Sequence, residues 1–305
     1  KKKSKLKVET TTDNSVSVII SKGYLGKIEF KNHSKYLKDE IIENALSVLK
    51  SGDDVYQKNI ESALYTIDDI DGITVSGVLY PTDNKDVSNL MVNVYDKYSN
   101  KKNNDSILTY IENYGNKYSG RYRLGTIYNK YDLTGNGDNL SIGMVSSDKN
   151  LYNYSISYDI FTGKKRYNKS GINLSRTDYK LADDMSALDA TGTSNEISIY
   201  NSNRIFKSVR TGIDINYGYK YKNIKDDIHL FNISSQKHSN QIYAELVGFN
   251  SLSNNSYISG SATFSVGHLI NDSNYANNNN YYSNTEGIYY KMLFNSSYIM
   301  KLMDS

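Results

Sequence analysis

The sequence predicts a mainly β chain: a small β-α-α-β-β unit, then an antiparallel barrel of about eleven strands with its apolar side facing lipid. Three observations predict it. Residues 24–97 mix short alternating runs with two runs of helical spacing. After Ile107, alternating segments recur between Asn/Asp/Gly/Ser turns at roughly the ten-residue spacing of an all-β architecture, and the helical period is gone. In these segments one parity is rich in Tyr, and the other carries Lys, Arg and Asp among Gly and Ser.

GKIEFKN (Gly26 to Asn32) alternates as a short strand. YLKDEIIENALSVLKSG follows, with Leu37, Ile41, Ala45 and Leu49 at helical spacing and Ser51-Gly52 as its stop. DVYQKNIESALYTIDDIDG reads as a second helix, with Val55, Ile60, Leu64 and Ile67 on one side, Asp54 as N-cap and Gly72 at its close. ITVSGVLYP and NLMVNVYDK are two strands joined by the turn Thr82 to Asp86. YSNKKNNDS (Tyr98 to Ser106) is a polar linker.

Beyond the linker the strands are ILTYIENY, GRYRLGTIYNKY, NLSIGMVSS, LYNYSISYDI, GINLSRT, NEISIYN, VRTGIDINYGYKY, IHLFNISSQ, QIYAELVGF, YISGSATFSV and GIYYKMLF. Their faces decide between a soluble sandwich and a membrane barrel. Ile213, Ile215, Tyr217, Tyr219 and Tyr221 share one face, and Asp214, Asn216, Gly218, Lys220 and Lys222 the other. Tyr122, Leu124, Thr126 and Tyr128 likewise oppose Arg121, Arg123, Gly125 and Asn129. A sandwich core built on Tyr must find a partner for every hydroxyl, at roughly 1–3 kcal/mol for each one missed. At a lipid–water boundary the hydroxyl meets headgroups and water, so the tyrosine side reads as outward and the charged side as a wet lumen.

Composition removes other classes. There is no cysteine, so thiol catalysis, zinc ribbons and disulfide frameworks are excluded. A net charge of +3 does not argue for nucleic acid, and Lys1 to Lys7 reads as a solvated basic tail. No phosphate-binding G-x-x-x-x-G-K-[ST] run and no G-x-S-x-G elbow occur. His33, His229, His238 and His268 lie far apart without ligand spacing. DLTGNGD (Asp132 to Asp138) reads as a turn rather than a calcium loop, and Asp183, Asp184 and Asp189 as a solvated loop. No enzymatic activity, metal or cofactor is expected. The first residue is not Met, and the natural N-terminus is expected to be missing.

Several stretches resemble the two-partner secretion transporters, also called haemolysin secretion/activation proteins. ENYGNKYSGRYRLG (Glu112 to Gly125) is similar to the run that opens their second barrel strand. LTGNGDNLSI (Leu133 to Ile142) resembles the following turn, and Arg176 to Ile199 a later segment. DDIDGITVSGVLYP (Asp68 to Pro81) looks like the end of the second polypeptide-transport-associated (POTRA) domain, whose β-α-α-β-β order matches residues 24–97. The expected division is 1–23, a tail or the end of a preceding domain; 24–97, POTRA; 98–106, linker; 107–305, the N-terminal part of the transmembrane barrel. The family's first POTRA domain, plug helix and Arg-Gly-Tyr/Phe lumen loop are not in this sequence, so a fragment cut at both ends is expected.

The resemblance implies a Gram-negative outer-membrane transporter, with the N-terminal domain in the periplasm. It would export a large client, of filamentous adhesin or haemolysin type, without nucleotide hydrolysis. Outer-membrane lipid is the other expected partner. Client capture is expected by strand addition at the edge holding Ile73, Val75, Gly77 and Leu79, beside the helix bearing Ile60 and Leu64. These apolar residues also have the plainer reading of domain core. Arg121, Arg123, Lys220 and Lys222 are expected to face the lumen, either along the client's path or paired with acidic groups. Gly115, Gly120 and Gly125 are expected to serve close backbone approach and bends. A barrel-inserting outer-membrane protein and a soluble all-β adhesin are the alternatives.

Overall fold

The computed structural model describes residues 4–10, 16–97, 104–162, 168–208, 210–253, 255–272 and 286–301. A hairpin of β1 (Ser4–Thr10) and β2 (Val16–Lys22) comes first. Then follow β3 (Tyr24–Asn32), α1 (Asp39–Leu46), α2 (Gln57–Asp68), β4 (Ile73–Pro81) and β5 (Val87–Asp96). β5 is the centre of a three-stranded sheet, parallel to β3 and antiparallel to β4. Leu90, Val92 and Val94 of β5 point to the helices and pack with Ile42, Ala63 and Ile67, all essentially buried. Asp39 and Glu40 in the first turn of α1 complement its dipole.

Two helix boundaries differ from expectation. Tyr56, not Asp54, caps α2, and its side chain makes no capping hydrogen bond. Asp54 is instead paired with Tyr24 in an isolated bridge and accepts the Tyr56 hydroxyl at 3.2 Å. α1 stops at Leu46, and Gly52, with φ +90°, serves the turn after Leu49. Leu37 and Leu49 still join the core from outside the helix.

Among the described residues the second sheet has ten strands in unbroken meander order: β6 (Asp105–Glu112), β7 (Arg123–Tyr131), β8 (Asn139–Ser147), β9 (Leu151–Thr162), β10 (Asn168–Lys180), β11 (Ala190–Lys207), β12 (Thr211–Ile228), β13 (Ile233–Ser253), β14 (Ser256–Asn271) and β15 (Gly287–Met300). The count is ten rather than eleven because IHLFNISSQ is not one strand. Ile228 ends β12, His229–Phe231 make a single 3-10 turn, Asn232 takes the left-handed conformation, and Ile233 begins the 21-residue β13. β6 and β15 are the two edges among the described residues. β6 takes in Asp105 and Ser106, the last two residues of the expected linker, while 98–103 lie outside the described residues.

Register makes each row of the sheet uniform. Ile199, Tyr219, Ile242, Val266 and Tyr290 stand side by side across five strands on one face. The next row, Ser198, Lys220, Gln241, Gly267 and Tyr289, lies on the other. The first row is uncovered: Ile242 is 62% exposed and Tyr290 71%. Among the described residues no second protein layer packs on Tyr217 or Tyr219, each 42% exposed. A wide apolar surface on a sheet without a second layer needs a non-aqueous neighbour.

Candidate functional site

The first candidate is the free edge of β4. In an antiparallel pair, residues alternate between those that exchange hydrogen bonds with the partner and those that turn their amides and carbonyls away. The Lys97 amide donates to the Gly72 carbonyl at 2.8 Å, which sets the phase of the β4–β5 ladder. Thr74, Ser76, Val78 and Tyr80 therefore bond to β5. Val75, Gly77 and Leu79 present their backbone groups to the open side. Ile73 shares their parity, but its amide is taken by the Ile70 carbonyl at 3.1 Å.

The side chains of these residues go the other way. Ile73 and Ile60 are buried, and Val75, Leu79 and Leu64 pack against the same core. Leu64 lies so close over Gly77 that a β-carbon there would sit 2.7 Å from its Cδ1. The apolar residues singled out from the sequence thus build the domain, and only the backbone of their strand is on offer. The opposite edge differs: β3 shifts register between Leu25 and Ile28, around Gly26, and a bulge of this kind blunts an edge against pairing.

The second candidate is the inner face of the large sheet. Arg123 lies on it, 3.7 Å from Glu112. Lys220 reaches Glu196 at 3.0 Å. Lys220, Lys222, Lys291, Glu196, Gln241 and Tyr289 line a hollow of about 450 Å³. Arg121 is not in the wall. It precedes β7 in an exposed connection, where its carbonyl accepts the Gly115 amide at 3.2 Å. At that same end Asp183, Asp184 and Asp189 are paired rather than merely solvated: Lys149 holds Asp183, Lys117 holds Asp184 at 2.6 Å, and Lys180 holds Asp189 at 2.6 Å.

Tyrosine is not confined to the outer face. Tyr110, Tyr179, Tyr200, Tyr243 and Tyr289 point inward, each lying over a glycine of the neighbouring strand: Gly125, Gly192, Gly171, Gly218 and Gly267. Phe249 covers Gly212 in the same way. A flat ring fits where the facing position has no side chain. The hydroxyls find partners inside: Tyr179 donates to Asp226 at 2.7 Å, and Tyr289 is 2.8 Å from Ser239 Oγ. Gly125, expected to allow close approach, does so for a ring.

A third feature escaped the sequence reading: the seam between the two sheets. It is built from the turn Asp69-Ile70-Asp71-Gly72, between α2 and β4. Ile70 is buried against Gly137, and Gly72 lies against Asn104 and Tyr131. Asp69 pairs with Arg204 and Lys207 near the end of β11, and Asp71 with Lys169 of β10. The DLTGNGD turn supports the seam from the barrel side. Asp138 accepts bonds from the Thr134 amide and hydroxyl and from Tyr158, and Asp132 accepts the Gly137 amide at 2.8 Å. The clue in the sequence was three carboxylates in DDIDG. The basic partners of Asp69 and Asp71 lie roughly a hundred or more positions away, for example Lys169 from Asp71, a separation of 98.

A POTRA-like unit joined to a meander that is apolar on one face and polar on the other defines an outer-membrane β-barrel protein. No family model matches the chain. The heme/hemopexin transporter protein HuxB of Haemophilus influenzae strain 86-028NP is 24% identical over 264 residues, covering 85% of this chain and 45% of that protein. HuxB of strain KW20 is 24% identical over 236 residues. CdiB from Escherichia coli superposes with a TM-score of 0.62 at 15% identity, over 87% of this chain and 49% of that structure. CdiB from Acinetobacter baumannii gives 0.55 at 16%, over 87% and 52%. The chain spans less than half the length of the curated relatives it matches. Within its class its similarities are to the two-partner secretion transporters, and its place is the outer membrane of a Gram-negative envelope.

Proposed function

We propose that the chain is the POTRA domain and leading barrel strands of a transporter that moves one large partner protein from periplasm to cell surface. The client is of filamentous adhesin or haemolysin type. It is captured as an extended segment on β4 and passed along the polar inner face without nucleotide hydrolysis. The domain limits 24–97 and 107–305 belong to this reading. One observation carries it: β4 is a regular, unbulged edge whose Val75, Gly77 and Leu79 turn their backbone groups outward, while the opposite edge is disrupted at Gly26. HuxB, whose name makes it a heme/hemopexin transporter, supports transport rather than catalysis.

Val75→Pro tests the capture step. It removes one outward amide and leaves the β4–β5 ladder intact. A client carbonyl left unpaired costs about 1–3 kcal/mol, so binding of the client's N-terminal domain to the purified transporter should fall about tenfold. Unchanged affinity in a folded variant rules this edge out.

A further inference from the structure

Two cations at the seam are each shared between the two sheets. Lys169 stands 3.1 Å from Asp71 of the POTRA turn and 2.7 Å from Asp159 of β9. Arg204 pairs with Asp69 of the same turn and lies 3.4 Å from Asp214 of β12. Lys207 adds a second contact to Asp69, and its ammonium sits 5.5 Å from the centre of the Tyr65 ring on α2. Lys58 of α2 reaches back over Phe206 at 5.3 Å.

This pattern has an energetic consequence. Separating an ion pair is costly when a partly buried charge is left without a partner. Here the barrel cations keep Asp159 and Asp214 when the POTRA turn moves away, and Asp69 and Asp71 pass into water. Undocking therefore strands neither Lys169 nor Arg204, and of the three seam cations only Lys207 gives up its carboxylate partner. We infer that the Asp69/Asp71 turn and the Lys169/Arg204 pair form a releasable latch, in which the barrel's own Asp159 and Asp214 hold the cations ready for release and redocking. The latch sets whether α2 and β4 are fixed beneath the barrel or free to swing. It concerns the seam alone and stands whether or not β4 binds a client.

The test uses opposite signs. The chain has no native cysteine, so spin labels at Glu43→Cys on α1 and Asn255→Cys in the β13–β14 turn report the docking distance in the full chain in nanodiscs. Salt is raised until the screening length is about 3 Å, and barrel integrity is followed by heat-modifiable gel migration. Wild type should pass from one distance to a second, broader population. Asp69→Asn should undock at lower salt, with the docked ratio falling several-fold. Asp214→Asn should undock at higher salt, because Arg204 then loses its only remaining carboxylate on release. Asp159→Asn should act in the same direction through Lys169. A merely structural role predicts that Asp214→Asn weakens docking along with Asp69→Asn. That result, or a wild-type distance that no salt concentration moves, overturns the latch.

Discussion

The ring of Tyr200 on β11 lies over Gly171 of β10, where a β-carbon would be 2.4 Å from its Cζ. The two positions are direct cross-strand neighbours, and the Tyr200 hydroxyl reaches Asp159 at 3.4 Å. Gly171→Ala should displace the ring and cost about 1–3 kcal/mol, as overpacking does. The midpoint of heat-modifiable migration should fall. Tyr200→Ala in the same chain should recover part of the loss, and two additive effects would show that the ring and the glycine do not interact.

Two adjacent residues test which face meets lipid. Ile242→Lys places a charge on the uncovered row and should cost about 2–4 kcal/mol if it lies near the bilayer midplane. Gln241→Lys, one residue away on the inner face, should leave insertion unchanged. The check is the fraction of heat-modifiable barrel in purified outer membranes. Equal tolerance at both positions would refute the assigned faces.

Asp138 gives the seam a pH dependence. Burial alone would raise its carboxyl, but hydrogen bonds from the Thr134 hydroxyl and amide and from Tyr158 outweigh burial and hold it below the ordinary aspartate value of 3.8. A depressed folded-state value means stability that is present above the unfolded value and lost as pH falls through the folded one. Asp138→Asn should therefore destabilise the chain at neutral pH, by about 1.5–3 kcal/mol. The gap to wild type should narrow as the pH falls from neutral to below the ordinary aspartate value of 3.8. Urea unfolding of both proteins at the two pH values measures it, and a constant gap would contradict the assignment.

Ile67 of α2 is fully buried in the POTRA core. Ile67→Ala should cost about 2–5 kcal/mol. Because the loss falls in the small sheet, protease digestion should remove residues 24–97 while the barrel remains heat-modifiable. Joint loss of both would show that the two sheets fold as one unit.

Much of this was legible in the sequence because period 2 and period 3.6 are local properties. GIDINYGYKYK displayed the two faces of β12 without any partner strand. Three things were not local. The 3-10 turn at His229–Phe231 lies inside an alternating run and does not disturb its pattern, so one hairpin looked like an extra strand. The inward tyrosines depend on register, since only pairing reveals that Tyr179 faces Gly192 rather than a side chain. The seam depends on tertiary folding, which brings Arg204 and Lys207 to Asp69. Arg121 failed for a simpler reason: parity was extended two residues past the true start of β7 at Arg123.

The open strand of the small sheet also has a direction. β4 begins at the seam, just after Gly72 packs against Asn104 and Tyr131, and runs away from it toward Pro81. A guest segment laid antiparallel along it would start at the Pro81 end and reach the seam with its C-terminal flank. A parallel guest would arrive with its N-terminal flank there. On the capture step proposed above, the edge is a ramp whose slope is fixed by the chain's own polarity, and the orientation of the bound segment decides which of its flanks lies at the seam.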